Sequence, residues 1–188
     1  FKKTNHENKE VNIKTDKVRL LYIPTIRHRA VLNLDDLFAS FDGIDNLSIS
    51  VDIKPHPLQN IVFDNVNSKL NLNVLDSSKS VYELISLYDI IVVDYSSILI
   101  DLMSVGMTDN LYILSFDIND YIREEGGVYP LWESFFKNHG YENITQIIND
   151  FLNNKSQVGL SSPAILNSFS VLNDKTERDL VREITRNN

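Results

Sequence analysis

The sequence contains no cysteine and no long hydrophobic run. Without cysteine, disulfides and thiolate chemistry are excluded, and the chain fits a reducing cytosol. No apolar run approaches the roughly 18 residues that span a bilayer, and the first residues lack the apolar core of a signal peptide. The 188 residues allow one globular domain, or one half of a two-lobed protein.

Several motifs of catalysis and cofactor binding are missing as well. There is no GxGxxG or Walker pattern and no metal-ligand spacing of His, Asp and Glu. No Gly-x-Ser-x-Gly elbow is present, so Ser96 is a poor candidate nucleophile. We therefore expect neither a metal nor a cofactor.

Charge is strongly asymmetric along the chain. The net charge of −8 argues against nucleic acid as a partner. Residues 1–29 nevertheless carry eight Lys and Arg against three Asp and Glu. We interpret residues 1–17 as a linker or disordered lead-in, and peripheral contact of this basic end with an anionic membrane surface stays open as an alternative.

Short apolar runs alternate with helical patterns over the rest of the chain. The predicted strands are 18–23, 47–53, 73–75, 90–93 and 111–114. The predicted helices are 34–41 with Asn33 as N-cap, 80–87 with Ser80 and Glu83 as a capping box, 98–104 closed by Gly106, 144–152 and 176–184. This alternation predicts an α/β fold for residues 18–188, a Rossmann-like, doubly wound parallel sheet with a helical carboxyl end.

The segment from Tyr88 to Ser97 is the most informative part of the sequence. A continuous apolar run, Ile90 to Val93, is typical of a strand buried on both faces of a parallel sheet. An acid, an aromatic and two hydroxyls follow directly, and then a helix begins. Open α/β folds bind ligands at this position, where free backbone N–H groups favour an anion.

Polar side chains follow every predicted strand, and the carboxyl ends of parallel strands share one edge of the sheet. These residues are Thr25, Arg27, His28 and Arg29, then Lys54 and His56, then Asp76, Ser77 and Ser78, then Asp94, Tyr95, Ser96 and Ser97, and finally Asp117. Cations and hydroxyls that converge in this way suit a diphosphate. Asp101, one helical turn beyond Ser97, could bond ribose hydroxyls or orient a neighbour.

Simpler interpretations remain open for several of these residues. His56 lies between two prolines and could belong only to a strand-ending turn. Ser96 and Ser97 could be helix N-caps. We expect Glu124 and Glu125 to be a solvated pair. We expect Trp132 and the neighbouring phenylalanines to belong to the core.

Three segments in order resemble one family. Leu21 to Arg27 resembles its YxPTxR segment, Ile53 to Leu58 resembles its KxHP segment, and Asp89 to Asp101 resembles its DxxxTDYSSxxxD block, with Val93 in place of Thr. The chain is similar here to the CDP-glycerol glycerophosphotransferases, which make teichoic acid and capsule polymers.

The resemblance implies the carboxyl-terminal, donor-binding lobe of a GT-B architecture. His56 would take part in catalysis by contacting the donor's phosphates. The other implied donor-binding residues are Thr25, Arg27, Lys54, Asp94, Ser96, Ser97 and Asp101. An acceptor hydroxyl on a polymer or lipid-linked chain would attack the β-phosphorus of a CDP-linked alditol.

The family's His-Gly-Thr segment, thought to supply the base, does not occur in this sequence. We therefore expect a missing amino-terminal lobe, and a cytoplasmic location with peripheral membrane contact. Two alternatives stay open. One is a GT-B lobe of a sugar transferase or epimerase. The other is a non-catalytic Rossmann-like binding module.

Overall fold

The computed structural model describes residues 17–29, 49–59, 71–128, 130–153 and 159–186. The predicted lead-in up to residue 16 and the predicted helix at 34–41, with its N-cap Asn33, lie outside the described residues.

Six described strands form one parallel sheet. They are β1 Val18–Ile23, β2 Ile49–Ile53, β3 Asn71–Val74, β4 Ile90–Val93, β5 Leu111–Leu114 and β6 Gly140–Tyr141. Their order in the sheet is β3-β2-β1-β4-β5-β6. The central register pairs Tyr22 with Ile53 on one side and with Val92 on the other. The prediction of a parallel Rossmann-like sheet is confirmed.

The described helices connect and cover these strands. They are α1 Val81–Leu84, α2 Ile98–Ser104, α3 Ile118–Glu125, α4 Pro130–His139, α5 Ile144–Asn153 and α6 Pro163–Arg186, with 3-10 turns at Ile85–Leu87 and Gly159–Ser161. Gly106 follows α2 with a φ of +77°, a left-handed conformation that suits glycine at a helix end, as predicted.

Hydrophobic side chains pack on both faces of the sheet. Every residue of β4 and β5 is buried, because alternate side chains enter opposite layers. One layer packs Val93 and Ile113 against Leu99 of α2 and the aromatic residues of α4. The other packs Val92 and neighbouring strand residues against α5. The sheet is therefore doubly wound, and the predicted core position of Trp132 is confirmed, since only 4% of it is exposed.

The sequence prediction missed β6, because it assigned everything after β5 to helix. Gly140 and Tyr141 form a two-residue strand beside β5. A Cβ on Gly140 would collide with the Ser115 side chain and the Phe136 carbonyl. Close backbone approach, rather than an apolar run, produces this edge strand.

The predicted helix at 80–87 is shorter and less regular than expected. The α-helical part covers Val81–Leu84 and continues as a 3-10 turn. The predicted capping box is wrong, because the Ser80 side chain makes no cap hydrogen bond. Tyr88 must already be extended, at φ −120° and ψ 147°, to lead into β4, so the helix has no room for a further turn.

The strand order also fixes where a ligand site can lie. The chain proceeds outward from β1 through β2 to β3, and then returns to β4 on the other side of β1. The loops that leave β1 and β4 therefore diverge at the carboxyl edge. This divergence opens a crevice, the usual ligand position of open α/β sheets.

Candidate functional site

A cavity of about 210 Å³ occupies this crevice. Its walls come from the ends of β1 and β2, from α1 and from the start of α2. The lining residues are Ile23, Pro24, Lys54, Pro55, His56, Pro57, Val81, Ser96, Ser97, Ile98 and Asp101. Five of the eight residues predicted for the site therefore share one cavity. The other three, Thr25, Arg27 and Asp94, are buried and do not line it.

Asp94 is fully buried and joins β4 to the loop after β1. Its carboxylate accepts hydrogen bonds from the Tyr22 hydroxyl at 3.1 Å, the Thr25 backbone N–H at 2.7 Å and the Arg27 guanidinium at 3.2 Å. Burial raises the pKa of Asp94 to about 6, although the Arg27 charge and the Thr25 N–H oppose that rise. Three donors thus compensate a carboxylate that has no access to water.

Arg27 bridges this carboxylate to a second one. Its guanidinium also pairs with Asp117 at 2.9 Å, and Asp117 accepts a hydrogen bond from the Tyr95 hydroxyl at 3.0 Å. Burial alone would lower the pKa of Arg27, but Asp94, Tyr22 and Asp117 outweigh it and raise the pKa overall. Arg27 is therefore a fixed cation, and its charge is paired with the buried Asp94 and the partly exposed Asp117.

Lys54 is also buried, but it lies in the cavity wall. Its ammonium donates to the carbonyls of Ser77 at 2.7 Å and Pro55 at 3.2 Å. Burial lowers the pKa of Lys54, and Asp76 opposes the shift. An ammonium has three N–H donors, so the two carbonyls leave one donor for a ligand.

His56 is exposed in the same wall. Its Nδ1 accepts a hydrogen bond from the Leu58 backbone N–H at 3.2 Å. A neutral imidazole with Nδ1 as acceptor carries its proton on Nε2. In that form, His56 has an Nε2–H donor in the cavity wall.

Hydroxyls and a carboxylate form the opposite wall. The Ser96 hydroxyl accepts a long hydrogen bond, 3.4 Å, from the Ile98 N–H. Ser97 occupies the N-cap position of α2, but its side chain makes no cap hydrogen bond. The simple N-cap interpretation therefore does not account for Ser97. Asp101 accepts a hydrogen bond from the Tyr82 hydroxyl at 3.2 Å.

The loop after β1, residues 24–29, offers few backbone donors to an anion. Thr25 N–H is taken by Asp94 and Arg27 N–H by Gln59. The N–H groups of residues 28 and 29 both donate to the Glu125 carboxylate, at 2.9 and 2.7 Å. The interpretation of Glu125 as part of a solvated pair is wrong for this reason. The polar donors that line the cavity, Lys54, His56, Ser96 and Ser97, all lie outside this loop.

Comparison with known proteins identifies the family to which the chain belongs. The sequence matches the family described as CDP-Glycerol:Poly(glycerophosphate) glycerophosphotransferase over residues 1–183. The chain belongs to this family. Two of its three motif segments, Ile53 to Leu58 and Asp89 to Asp101, supply the five polar residues of the cavity wall, and the third supplies Ile23 and Pro24.

One solved structure similar to this glycerophosphotransferase family member is that of the wall teichoic acid polymerase TagF, soaked with CDPG. The two share 18% sequence identity with a TM-score of 0.37, and the match covers 90% of this chain and 45% of TagF. The chain thus spans less than half the length of that relative. No curated protein matches the sequence.

Sequence reasoning missed the partners that organise the site. Tyr22 lies within an apolar strand, so its hydroxyl gave no polar signal, and Tyr95 was placed at the carboxyl edge without its hydrogen bond to Asp117. Gln59 and Glu125 lie in segments without periodicity. Within the described ranges, no three His, Asp or Glu side chains could hold a metal ion, and no helix is long and apolar enough to cross a membrane.

Proposed function

We propose that this chain is the donor-binding lobe of a GT-B glycerophosphotransferase. It would bind CDP-glycerol, or a related CDP-alditol, with the diphosphate in the crevice cavity. The transferred unit would be the alditol phosphate, and the acceptor would be a hydroxyl of a growing cell-surface polymer or its lipid-linked precursor.

One observation carries the proposal. The Lys54 ammonium and the His56 Nε2–H form a donor-rich wall opposite the hydroxyls of Ser96 and Ser97, in a cavity at the topological switch point. Charge-assisted hydrogen bonds from such groups are the strongest that a phosphate oxygen makes. Family membership supports a CDP-linked ligand.

The proposed reaction is a displacement at the β-phosphorus. The acceptor oxygen forms a new P–O bond, the bond from the β-phosphorus to the bridging oxygen breaks, and CMP leaves with the electron pair. The acceptor hydroxyl gives its proton to a general base. His56 Nε2–H and Lys54 would stabilise negative charge on the departing phosphate.

His56 is better suited to donation than to deprotonation of the acceptor. Leu58 N–H occupies the Nδ1 lone pair, and the neutral ring carries its proton on Nε2. We therefore assign His56 to the leaving phosphate. The hydrogen bonds of Asp94 with Thr25 and Arg27 then fix the loop after β1, which borders the cavity.

Calorimetric titration of the purified chain tests this assignment. We expect CDP-glycerol or CDP-ribitol to bind, with UDP-sugars and CMP-sialate at least about ten-fold weaker. Lys54→Met and His56→Ala should each weaken binding about ten-fold or more, because each removes a hydrogen bond to a charged group.

Matched controls come from neighbouring residues that do not line the cavity. Lys79→Met and His28→Ala remove the same side-chain types from exposed positions and should leave affinity unchanged. Preference for a UDP-sugar would favour a sugar transferase or epimerase lobe. Unchanged nucleotide affinity in Arg27→Ala and His56→Ala would favour a binding module with another site.

The location of the protein follows from the same proposal. CDP-linked donors place the reaction in the cytoplasm, and a lipid-linked acceptor places it at the inner face of the membrane. The excess of Lys and Arg in residues 1–29 supports contact with an anionic surface.

A further inference from the structure

Tyr82 and Asp101 form a hydrogen-bonded pair that joins two elements at the cavity. Asp101 belongs to α2 and lines the cavity, and Tyr82 belongs to α1, directly after the lining residue Val81. The Tyr82 hydroxyl donates to the Asp101 carboxylate at 3.2 Å. Tyr82 is a large side chain with 55% of its surface exposed, and it lies outside the three motif segments.

Asp101 adds a carboxylate to a cavity that is also lined by Lys54 and His56. A carboxylate repels a phosphate at short range. Lys54 and His56, in contrast, can donate hydrogen bonds to a phosphate. An ionised carboxylate only accepts hydrogen bonds, and its two oxygens can accept about four. The Tyr82 hydroxyl uses one of these, so the group retains capacity for ligand hydroxyl donors.

We propose that Tyr82 is a positioning residue that holds Asp101 as the acceptor for a pair of hydroxyls on the CDP-linked donor. This inference rests on the proposed function and deepens it, because it assigns the polyol end of the same site. A carboxylate that is already fixed loses less conformational entropy when the ligand binds. The hydroxyl pair belongs to the ribose or to the alditol.

Three ligands separate these two sources. NMR titration of the full 188-residue chain gives dissociation constants for CDP, 2′-deoxy-CDP and CDP-glycerol. If Asp101 binds the ribose, CDP binds about ten-fold tighter than 2′-deoxy-CDP, the value of one hydrogen bond to a charged group. If it binds the alditol, CDP-glycerol gains a similar advantage over CDP.

The variants report on the roles of the two side chains. Tyr82→Phe keeps the ring and should reduce the discrimination about three- to ten-fold, since Asp101 must then be ordered by the ligand. Asp101→Asn should abolish it, while binding of the ligand without the hydroxyl stays equal or becomes tighter because a like charge is gone. A purely structural role would weaken all three ligands together.

Tyr88→Phe is the matched control. The Tyr88 hydroxyl also donates to a carboxylate, Asp52 at 2.6 Å, but neither residue lines the crevice cavity. This variant should retain wild-type discrimination. If the wild type binds all three ligands equally, or if Tyr82→Phe discriminates like the wild type, the inference is overturned while donor binding stands. If the wild type binds no CDP compound, the proposed function fails with it.

Discussion

Arg27 lies between a fully buried carboxylate, Asp94, and a partly exposed one, Asp117. Each buried charge has lost its water, and only the partner charges and hydrogen bonds compensate that loss. If one partner is removed, the remaining buried charge is left without compensation. The stability of this site therefore depends on the presence of all three charged residues, Arg27, Asp94 and Asp117.

Arg27→Met should destabilise the fold by about 3–5 kcal/mol at pH 8, because Asp94 is left ionised and unpaired. The pKa of Asp94 is already raised to about 6 and should rise further in the variant. A raised carboxyl pKa means that the folded chain loses stability as pH rises through that pKa. The loss should therefore be clearly smaller at pH 5 than at pH 8, as measured by urea unfolding.

An exposed arginine serves as the control for that change. Arg123 pairs with Asp120 and Glu124 at the surface, with its side chain 68% exposed. Arg123→Met should cost no more than about 1 kcal/mol, with little difference between the two pH values. If both variants lose the same free energy of unfolding, the buried charge of Arg27 contributes no more to stability than an exposed arginine does.

The same residue shows the limit of sequence reasoning at this scale. Its position after β1 predicts that Arg27 lies at the carboxyl edge, as the structure confirms. Loops have no periodicity, however, so the direction of its side chain and its pairing with Asp94 could not be derived. The positions of Lys54 and His56 were easier to predict from the sequence, because the prolines on either side of His56 restrict the backbone of that loop.

At the scale of elements, β6 depends on a single small residue. Gly140 approaches the Ser115 side chain and the Phe136 carbonyl so closely that no Cβ fits. Gly140→Ala should destabilise the chain by about 1–3 kcal/mol through this overlap. Thermal or urea unfolding measures the loss.

A second substitution tests the cause of that loss. In the Gly140→Ala background, Ser115→Ala removes the side-chain oxygen from the collision and should recover part of the stability. Ser115→Ala alone provides the baseline. Strictly additive losses would indicate that the alanine does not meet Ser115.

Buried strands were predictable, and the small elements were not. The apolar runs of β1, β4 and β5 are visible in the sequence because both faces are covered. The end of α1 is set by the extended entry of Tyr88 into β4, and β6 by a close approach across the sheet. Both are tertiary constraints without a local pattern.

At the scale of the whole molecule, the chain spans 45% of TagF. We expect the isolated chain to bind CDP-glycerol without releasing CMP, because the His-Gly-Thr segment associated with the base does not occur in this sequence. A CMP-release assay with an added acceptor, and with TagF as the positive control, measures this. Robust polymer formation by the chain alone would contradict the expectation.

The loop after β1 has a mechanical consequence for the crevice. Its backbone is tied to Asp94 beyond β4, to Gln59 beyond β2 and to Glu125 at the end of α3. These hydrogen bonds connect the loop after β1 to residues that follow β2 on one side of it and β4 on the other, at the carboxyl edge of the sheet. Splaying of the strands would break these hydrogen bonds, so we expect a larger ligand to be accommodated by movement of the loop that carries His56.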